Sequence, residues 1–303
     1  MFRQFCRALA ACLVLTSPLA AEDRLPLGYG RLSTNDLFAE GRDRWQTGSV
    51  ASSRVRGPDW TGHAPDAPGA LLEYRLGFHV MSPSNLRNPA PGDRPLATAI
   101  SLGLHTHFTR GAAEIALGGD LVVTGPQTGL DDFQTALHDA IGIAPPSPGV
   151  KDRQIGNGVH PSFVGEIGQD IAWGGARLRP FAEARWGAET LVRLGADLTL
   201  GVVGQGELLV RDPVTGQRYR AVQTDAPGSS FVLGGDIAYV DSSIFLPESR
   251  GYALTDSRQR LRAGVHWQGE RHSAFYGLTW LGEEFDGQPN GQVVGSLRLK
   301  LAF

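Results

Sequence analysis

Cysteine is almost missing from this chain. Its 303 residues hold two, Cys6 and Cys12, both close to the N-terminus. Charge is also scarce: Asp, Glu, Lys and Arg make up 19%, against about 25% in soluble domains. Low charge usually accompanies long apolar runs, yet no run reaches the roughly 20 residues that a membrane-spanning helix needs. Helical membrane proteins are therefore excluded. A hydrophobic content of 41% argues against a disordered chain. A formal charge of −3 lacks the basic footprint of a nucleic-acid binder. What is abundant is glycine. There are 40, nearly twice the usual share of about 7%. Such a chain reads as a β protein, either a soluble sandwich or a membrane barrel.

The N-terminus has the layout of a secretory signal peptide. Arg3 and Arg7 precede the apolar stretch Ala8 to Leu15, and Ser17-Pro-Leu-Ala-Ala21 closes it with small residues. The stretch is too short to span a bilayer. Cleavage is placed after Ala20 or Ala21. The competing lipoprotein box, Leu9-Ala-Ala-Cys12, has too little apolar sequence ahead of it. Losing residues 1–20 removes two Arg and no acid, so 26 basic residues face 31 acidic ones and the balance becomes −5. Both cysteines leave as well. The mature chain, 21–303, then has no thiol for a disulfide, a metal or a nucleophile.

The remainder reads as strands. Leu297, Leu299, Leu301 and Phe303 alternate with Ser296, Arg298, Lys300 and Ala302. Period 2 gives one apolar and one polar face. In an outer-membrane barrel the apolar face meets lipid and the polar face lines the lumen. A final aromatic residue on such a strand resembles the C-terminal signal of these barrels. The alternation recurs through 72–80, 177–186, 231–239 and 260–267, and several apolar faces end in Trp or Tyr, as aromatic girdles do. Twelve strands are expected, near 27–36, 46–56, 70–81, 95–108, 112–123, 161–172, 176–187, 190–203, 229–240, 259–269, 272–282 and 291–303. An even number suits a single-chain bacterial barrel. The fold expected is an all-β, closed antiparallel transmembrane barrel in the outer membrane.

Parity orients it. With both termini in the periplasm, the connections at 37–45, 82–94, 124–160 and 241–258 are outer loops, and 109–111, 174–175 and 269–271 are periplasmic turns. Short inside and long outside is the normal asymmetry. Two connections break it, 57–69 and 204–228, and the second has room for a further hairpin around Asp212-Pro-Val-Thr-Gly216.

Polar clusters gather at the outer rim. Ser33-Thr-Asn35-Asp36 is followed by Asp43-Arg44 and Thr47-Gly48. Ser82-Pro83-Ser84 is followed by Gly92-Asp93-Arg94. Thr124-Gly-Pro126 leads to Gln134, His138 and Gln154-Ile-Gly-Asn157. Between them, residues 129–143 are expected to form a helix, because Leu130, Phe133, Leu137 and Ile141 recur at helical spacing. His138 and Gln134 share one face of it. A histidine titrates near neutrality and can act as general base, and Asp or Asn oxygens suit a hard cation. Taken singly, Asn35-Asp36 reads as a turn and the Pro-containing pairs as loop punctuation.

The ordered set is more specific. Asn35-Asp36, Asp43-Arg44, Thr47-Gly48, Ser82-Pro83, Gly92-Asp93-Arg94, Gly125-Pro126, Gln134-x-x-x-His138 and Gln154-Ile-x-Asn157 together resemble the lipid A deacylases of the outer membrane, the LpxR type. The resemblance runs by motif over roughly 30–165, and by barrel pattern beyond. It implies a twelve-stranded barrel with a helix in an outer loop, and calcium-dependent hydrolysis of the ester-linked 3′-acyloxyacyl chain of lipid A. It implies His138 as general base, Asn35 and Asp36 as a catalytic pair, Thr47 as a catalytic hydroxyl and Asp36 as calcium ligand. Arg87, Gln134 and Asp139 are implied as substrate-binding, with Arg87 or Asn88 standing where the family has Lys, and Arg87 able to grip a phosphate. Ala144 stands where the family has Glu, so the carboxylate orienting the imidazole is expected to be Asp139 or Asp132, or to be missing. Lipopolysaccharide, the outer membrane and the barrel-assembly machinery are the partners implied, for a monomer that binds no nucleic acid. The alternatives are an inactive or pore-forming barrel and another outer-membrane lipid esterase such as a phospholipase.

Overall fold

The structure is a computed structural model and describes residues 24–301. The signal peptide assigned to 1–20, with both cysteines, and the terminal Phe303 lie outside the described residues. Fifteen strands follow in chain order: β1 (Leu25–Asn35), β2 (Trp45–Gly57), β3 (Leu72–Ser82), β4 (Ala97–Arg110), β5 (Ala113–Thr124), β6 (Gly158–Gly168), β7 (Ile171–Trp173), β8 (Ala176–Trp186), β9 (Glu189–Gly201), β10 (Leu208–Arg211), β11 (Arg218–Val222), β12 (Gly228–Ser243), β13 (Arg258–Gln268), β14 (Ser273–Leu281) and β15 (Gln292–Lys300). Twelve of them make one antiparallel wall. It runs from β6 back to β1, on through β15 to β12, β9 and β8, and closes where β8 pairs with β6. These are the twelve strands expected from the alternation.

The wall is inside-out relative to a soluble protein. Leu102, Leu104, Leu194, Leu233 and Leu261 are exposed on the outward face, where lipid solvates them. Charge is turned inward. Asp236 is shared by Arg193, Arg260 and Arg262, at 3.1, 2.8 and 2.5 Å. Glu73 is fully buried between Arg75 and His107, at 2.8 and 2.7 Å. Carboxylates and guanidinium groups neutralise one another in the lumen, the condition for burying either.

The lumen is filled from below. The long periplasmic connection folds inward as a second sheet, the hairpin β10–β11. It lies flat on β1 because Gly28 and Gly30 present no side chain. A Cβ at Gly28 would stand 2.2 Å from the Ala221 carbonyl oxygen, and one at Gly30 would stand 2.7 Å from that of Arg220. Val210, Tyr219 and Ala221 of the hairpin pack with Leu32, Val55 and Phe275 of the wall, and with Leu71 just before β3, in an apolar core inside the barrel. Arg211 reaches Glu166 at 2.7 Å and Asp197 at 2.9 Å. The carbonyls of Pro213 and Val214 at the hairpin tip accept from Arg260. The other long connection, 58–71, covers the same end, with the Trp60 indole donating to the Gly206 carbonyl at 2.9 Å. Both departures from the short-turn rule thus serve one purpose, closing the periplasmic mouth.

The outer loops carry two helices, α1 (Leu130–Ile141) and the single turn α2 (Pro148–Lys151). They are stapled to each other. Arg94 pairs with Glu284 at 2.5 Å, Tyr252 donates to the Asp93 carbonyl, and Arg250 donates to the Gln154 carbonyl.

A plugged barrel conducts no ions. In planar bilayers the intact protein is expected to be silent. Replacing 204–227 by a short turn is feasible, since Gly201 and Ser230 are already ladder partners. That variant is expected to show steady channel conductance, and a silent variant would mean that the remaining lumen side chains seal the barrel by themselves.

Candidate active site

Strand β1 ends at a turn. Asn35 Oδ1 accepts the Leu37 amide at 2.8 Å, and Asp36–Phe38 close one 3-10 turn. This is the bland role that Asn-Asp has in any turn, and it also drives Asp36 inward. Asp36 is fully buried; its Oδ2 accepts the Arg44 amide at 2.9 Å and its Oδ1 has no partner. The chain returns through Asp43 and Arg44 to β2. Trp45, at the start of β2, has φ of +49°, a conformation costly for a bulky residue. It is held there by burial, by Arg44 stacked 4.3 Å above its ring, and by its indole N–H to Asp93 Oδ1 at 3.2 Å. Asp93 Oδ2 in turn accepts from the Ser84 amide and hydroxyl. The Gly92-Asp93-Arg94 motif is therefore a clamp between two loops.

The register continues the wall. Asn35 opposes Gly48, Gly48 opposes Val80, and Val80 opposes Thr98. This row lies on the outward, lipid-side face, opposite in parity to the lumen residues His79 and Gln46. Thr47 sits in a β-bulge between Gln46 and Gly48 and is buried. Bulges re-aim side chains, and this one turns Thr47 out of the simple alternation.

Helix α1 lies against that row with its polarity reversed. Asp131, Gln134 and His138, spaced three and four apart, are 5%, 4% and 5% exposed, whereas Phe133, Leu137 and Ile141 are 64%, 44% and 51% exposed. The apolar stripe that identified the helix in sequence faces away from the protein. Gln134 donates to Ser82 Oγ at 3.3 Å, and Asp131 accepts from Gln154 at 3.1 Å. Gly142, at φ +75°, ends the helix in the left-handed region where a side chain would be strained. The chain reverses there, and the Ala144 carbonyl comes back to His138 Nδ1 at 3.2 Å.

His138 Nε2 lies 2.9 Å from Asp43 Oδ2. This contact corrects the expected orienting carboxylate. Asp139 is exposed on the far face of α1, one residue and about 100° round the helix from His138, and Asp132 pairs with Lys151 at 2.9 Å. Neither reaches the imidazole. Asp43 belonged to the recognised motif set, but no single-sequence signal tied it to His138 across 95 residues. Arg87 lies outside the cluster, exposed on the β3–β4 loop with its carbonyl accepting from Ser147. Gln134, Thr47 and Asp36 are in the cluster, and Asn35 borders it, its amide nitrogen 3.1 Å from where a Cβ on Gly48 would be.

The electrostatics are unusual. Burial pushes the Asp36 carboxyl up to about 8, the Arg44 amide opposing the shift and the nearby Asp43 charge adding to it. Burial also raises Asp43, against the pull of His138 and of the Thr47 and Gln134 side chains beside it. Asp36 Oδ1, both Asp43 carboxylate oxygens, Thr47 Oγ1 and Gln134 Oε1 are buried without a well-formed hydrogen bond, although Thr47 and Gln134 stand close enough to Asp43 to pull its carboxyl down. Unsatisfied buried oxygens are expensive. Here the carboxylate, amide and hydroxyl oxygens are together, and all are hard donors of the kind calcium takes. Among the described residues no group of three or more His, Cys, Asp or Glu is arranged to hold a metal ion by itself, so a cation here would have to draw on the Thr47 and Gln134 oxygens as well, unlike a zinc site.

The chain matches the family model described as "Outer membrane protein LpxR" over residues 8–303. Among solved structures, LpxR from Salmonella typhimurium shares the fold with a TM-score of 0.75 at 17% identity, covering 91% of this chain and 100% of that one. The NanC porin gives a TM-score of 0.42 at 5% identity, covering 91% and 100% of the two chains. No curated protein matches the sequence.

The raised carboxyls predict how a cation binds. Asp36 must lose its proton to ligate, and that proton is held up to about pH 8. Calcium affinity, measured by calorimetry on the full chain in detergent, is expected to rise with pH, roughly tenfold per unit while one proton is displaced, and to level off above about 8. In metal-free protein the sign is opposite. Ionising a group whose folded pKa is raised costs stability as pH climbs from the unfolded value toward about 8. Affinity independent of pH between 6 and 8 would show that Asp36 is no ligand.

Proposed function

Because the chain belongs to the LpxR family of outer-membrane proteins, we propose that it is a lipid A 3-O-deacylase, a carboxylic ester hydrolase removing the 3′-acyloxyacyl chain. The observation that carries this reading is the His138–Asp43 contact at 2.9 Å. It lies on the lipid side of the wall, beneath a helix whose apolar stripe faces out. A lipid ester held in the outer leaflet approaches such a site sideways. No route through the lumen is needed.

The residues divide the work. The Ala144 carbonyl can only accept, so His138 Nδ1 carries a proton. The contact of Nε2 with Asp43 needs a proton between them; were Asp43 to face a bound cation instead, Nε2 would be left as the basic nitrogen, open to a water. His138 removes a proton from that water as its oxygen attacks the acyl carbonyl carbon. The carbonyl π electrons move to oxygen. When they return, the bond to the sugar oxygen breaks, and His138 passes its proton to that oxygen. A fatty acid and a free sugar hydroxyl leave, and one water is consumed. Asp36, Asp43, Thr47 and Gln134 would hold a calcium ion, which when bound supplies positive charge to the developing oxyanion. Asn35, at the edge of the row, is placed to orient the ester. Arg87, exposed on the adjacent loop, suits a lipid A phosphate. The phospholipase alternative needs a serine beside the histidine, but Ser82, the serine at the helix, is engaged by Gln134. All these residues come from one chain, which fits a monomer.

Mass spectrometry of lipid A from cells expressing the protein tests the reading. The wild type is expected to yield a species lighter by one acyloxyacyl unit. His138→Ala is expected to lower the rate by about 10²–10⁴-fold, and Asp43→Asn to lower it comparably, with both variants still folded by gel mobility. Unchanged lipid A in the wild type, or full conversion by His138→Ala, contradicts it.

A further inference from the structure

We propose that a groove on the outward wall of β3–β6, floored by Gly119, receives the far end of the acyl chain that is removed and selects substrates by its length. This deepens the deacylase reading and rests on it. The groove has a volume of about 480 Å³ and is bordered by Tyr74, Leu102, Leu104, Leu121 and Phe163.

Three observations connect it to the site. The first is register. Below the row of Val80 and Thr98, the outward rungs are Phe78–Ile100–Val123–Val159, then Leu76–Leu102–Leu121–Pro161, then Tyr74–Leu104–Gly119–Phe163. Every rung is apolar or aromatic, so an unbroken track leads from His138 to the groove. The second is depth. Three rungs are six residues, about 20 Å along a strand. A tilt near 40° makes that about 15 Å of depth, half of the roughly 30 Å hydrocarbon core. The groove therefore sits where a chain anchored at the outer rim ends.

The third is shape. Gly165 and Gly235 also face outward, but neighbouring leucines cover them. A Cβ on either would meet Leu117 at 3.2 Å or Leu261 at 3.0 Å. At Gly119 the nearest atoms are those of the Phe163 ring at 3.5 Å, and the space above stays open. Phe163 is itself fixed by stacking on Trp186, with centroids 5.9 Å apart. The dent has a firm side, and its floor is one missing side chain.

The test is Gly119→Leu in the full-length protein, assayed on lipid A carrying a laurate-length or a palmitate-length chain at the cleaved position. Filling the floor is expected to lower cleavage of the longer chain at least about tenfold and to leave the shorter one at the wild-type rate. Gly119→Ala, whose methyl fits at ordinary contact distance, is expected to shift the ratio the same way by less, and it stands in if Gly119→Leu fails to fold. Wild type cleaving both lipids with the ratio unmoved by either variant overturns the groove alone. Wild type cleaving neither overturns the deacylase reading, and the groove with it.

Discussion

Two carboxylates in one dry gap, Asp36 and Asp43, set the terms for the outer rim. Among the described residues neither has a Lys or Arg ion-pair partner; His138 alone answers Asp43, and Asp36 has backbone amides. In the lumen Glu73, Glu166, Glu183 and Asp197 each share their charge with an arginine, and Asp236 does so with three. The contrast separates structure from chemistry within one molecule. The lumen is neutralised by the protein itself. The rim is left short of positive charge, with five buried oxygens of Asp36, Asp43, Thr47 and Gln134 that make no well-formed hydrogen bond. Such strain persists only where the surroundings over-determine it, and here the surroundings do. The Asn35 turn, the strained Trp45, the Asp93 clamp and the Thr47 bulge all hold the gap in place.

The second condition is the solvent. In water, a helix burying Asp131, Gln134 and His138 while exposing Phe133, Leu137 and Ile141 would be inverted. At the edge of a bilayer that arrangement loses nothing, because lipid takes the apolar stripe. The same exchange lets the wall keep its leucines outside and its arginines within. Membrane, helix and candidate site are thus one arrangement, and under the proposed function a lipid substrate would reach His138 along the surface that lipid already covers.

Much of this was legible in the sequence. Period-2 alternation marked β3, β8, β12, β13 and β15, and the recurrence at about 10 residues per strand placed the other wall strands. Helical spacing located α1. The unusual length of 204–228 pointed to a hairpin, though not to its place: nothing in a single sequence says that Gly28 and Gly30 are bare so that the hairpin can lie on β1. Asp43 is the clearest loss. It is 95 residues from His138, and only the closing of the barrel rim brings the two together. The vacancy at the family's Glu position, Ala144, suggested a replacement nearby on the helix. The structure answers with a main-chain carbonyl on one ring nitrogen and a carboxylate from another loop on the other. Asp139 failed because adjacent residues on a helix point about 100° apart.

Asp36, Asp43, Thr47 and Gln134 are proposed to form a cation site that leaves His138 free to act as base. Anomalous diffraction from crystals of the full chain grown with calcium decides it. One calcium peak ligated by oxygens of Asp36 and Asp43 is expected, with His138 Nε2 turned to a water and no longer to Asp43. A gap without calcium, with the His138–Asp43 contact intact, would contradict it.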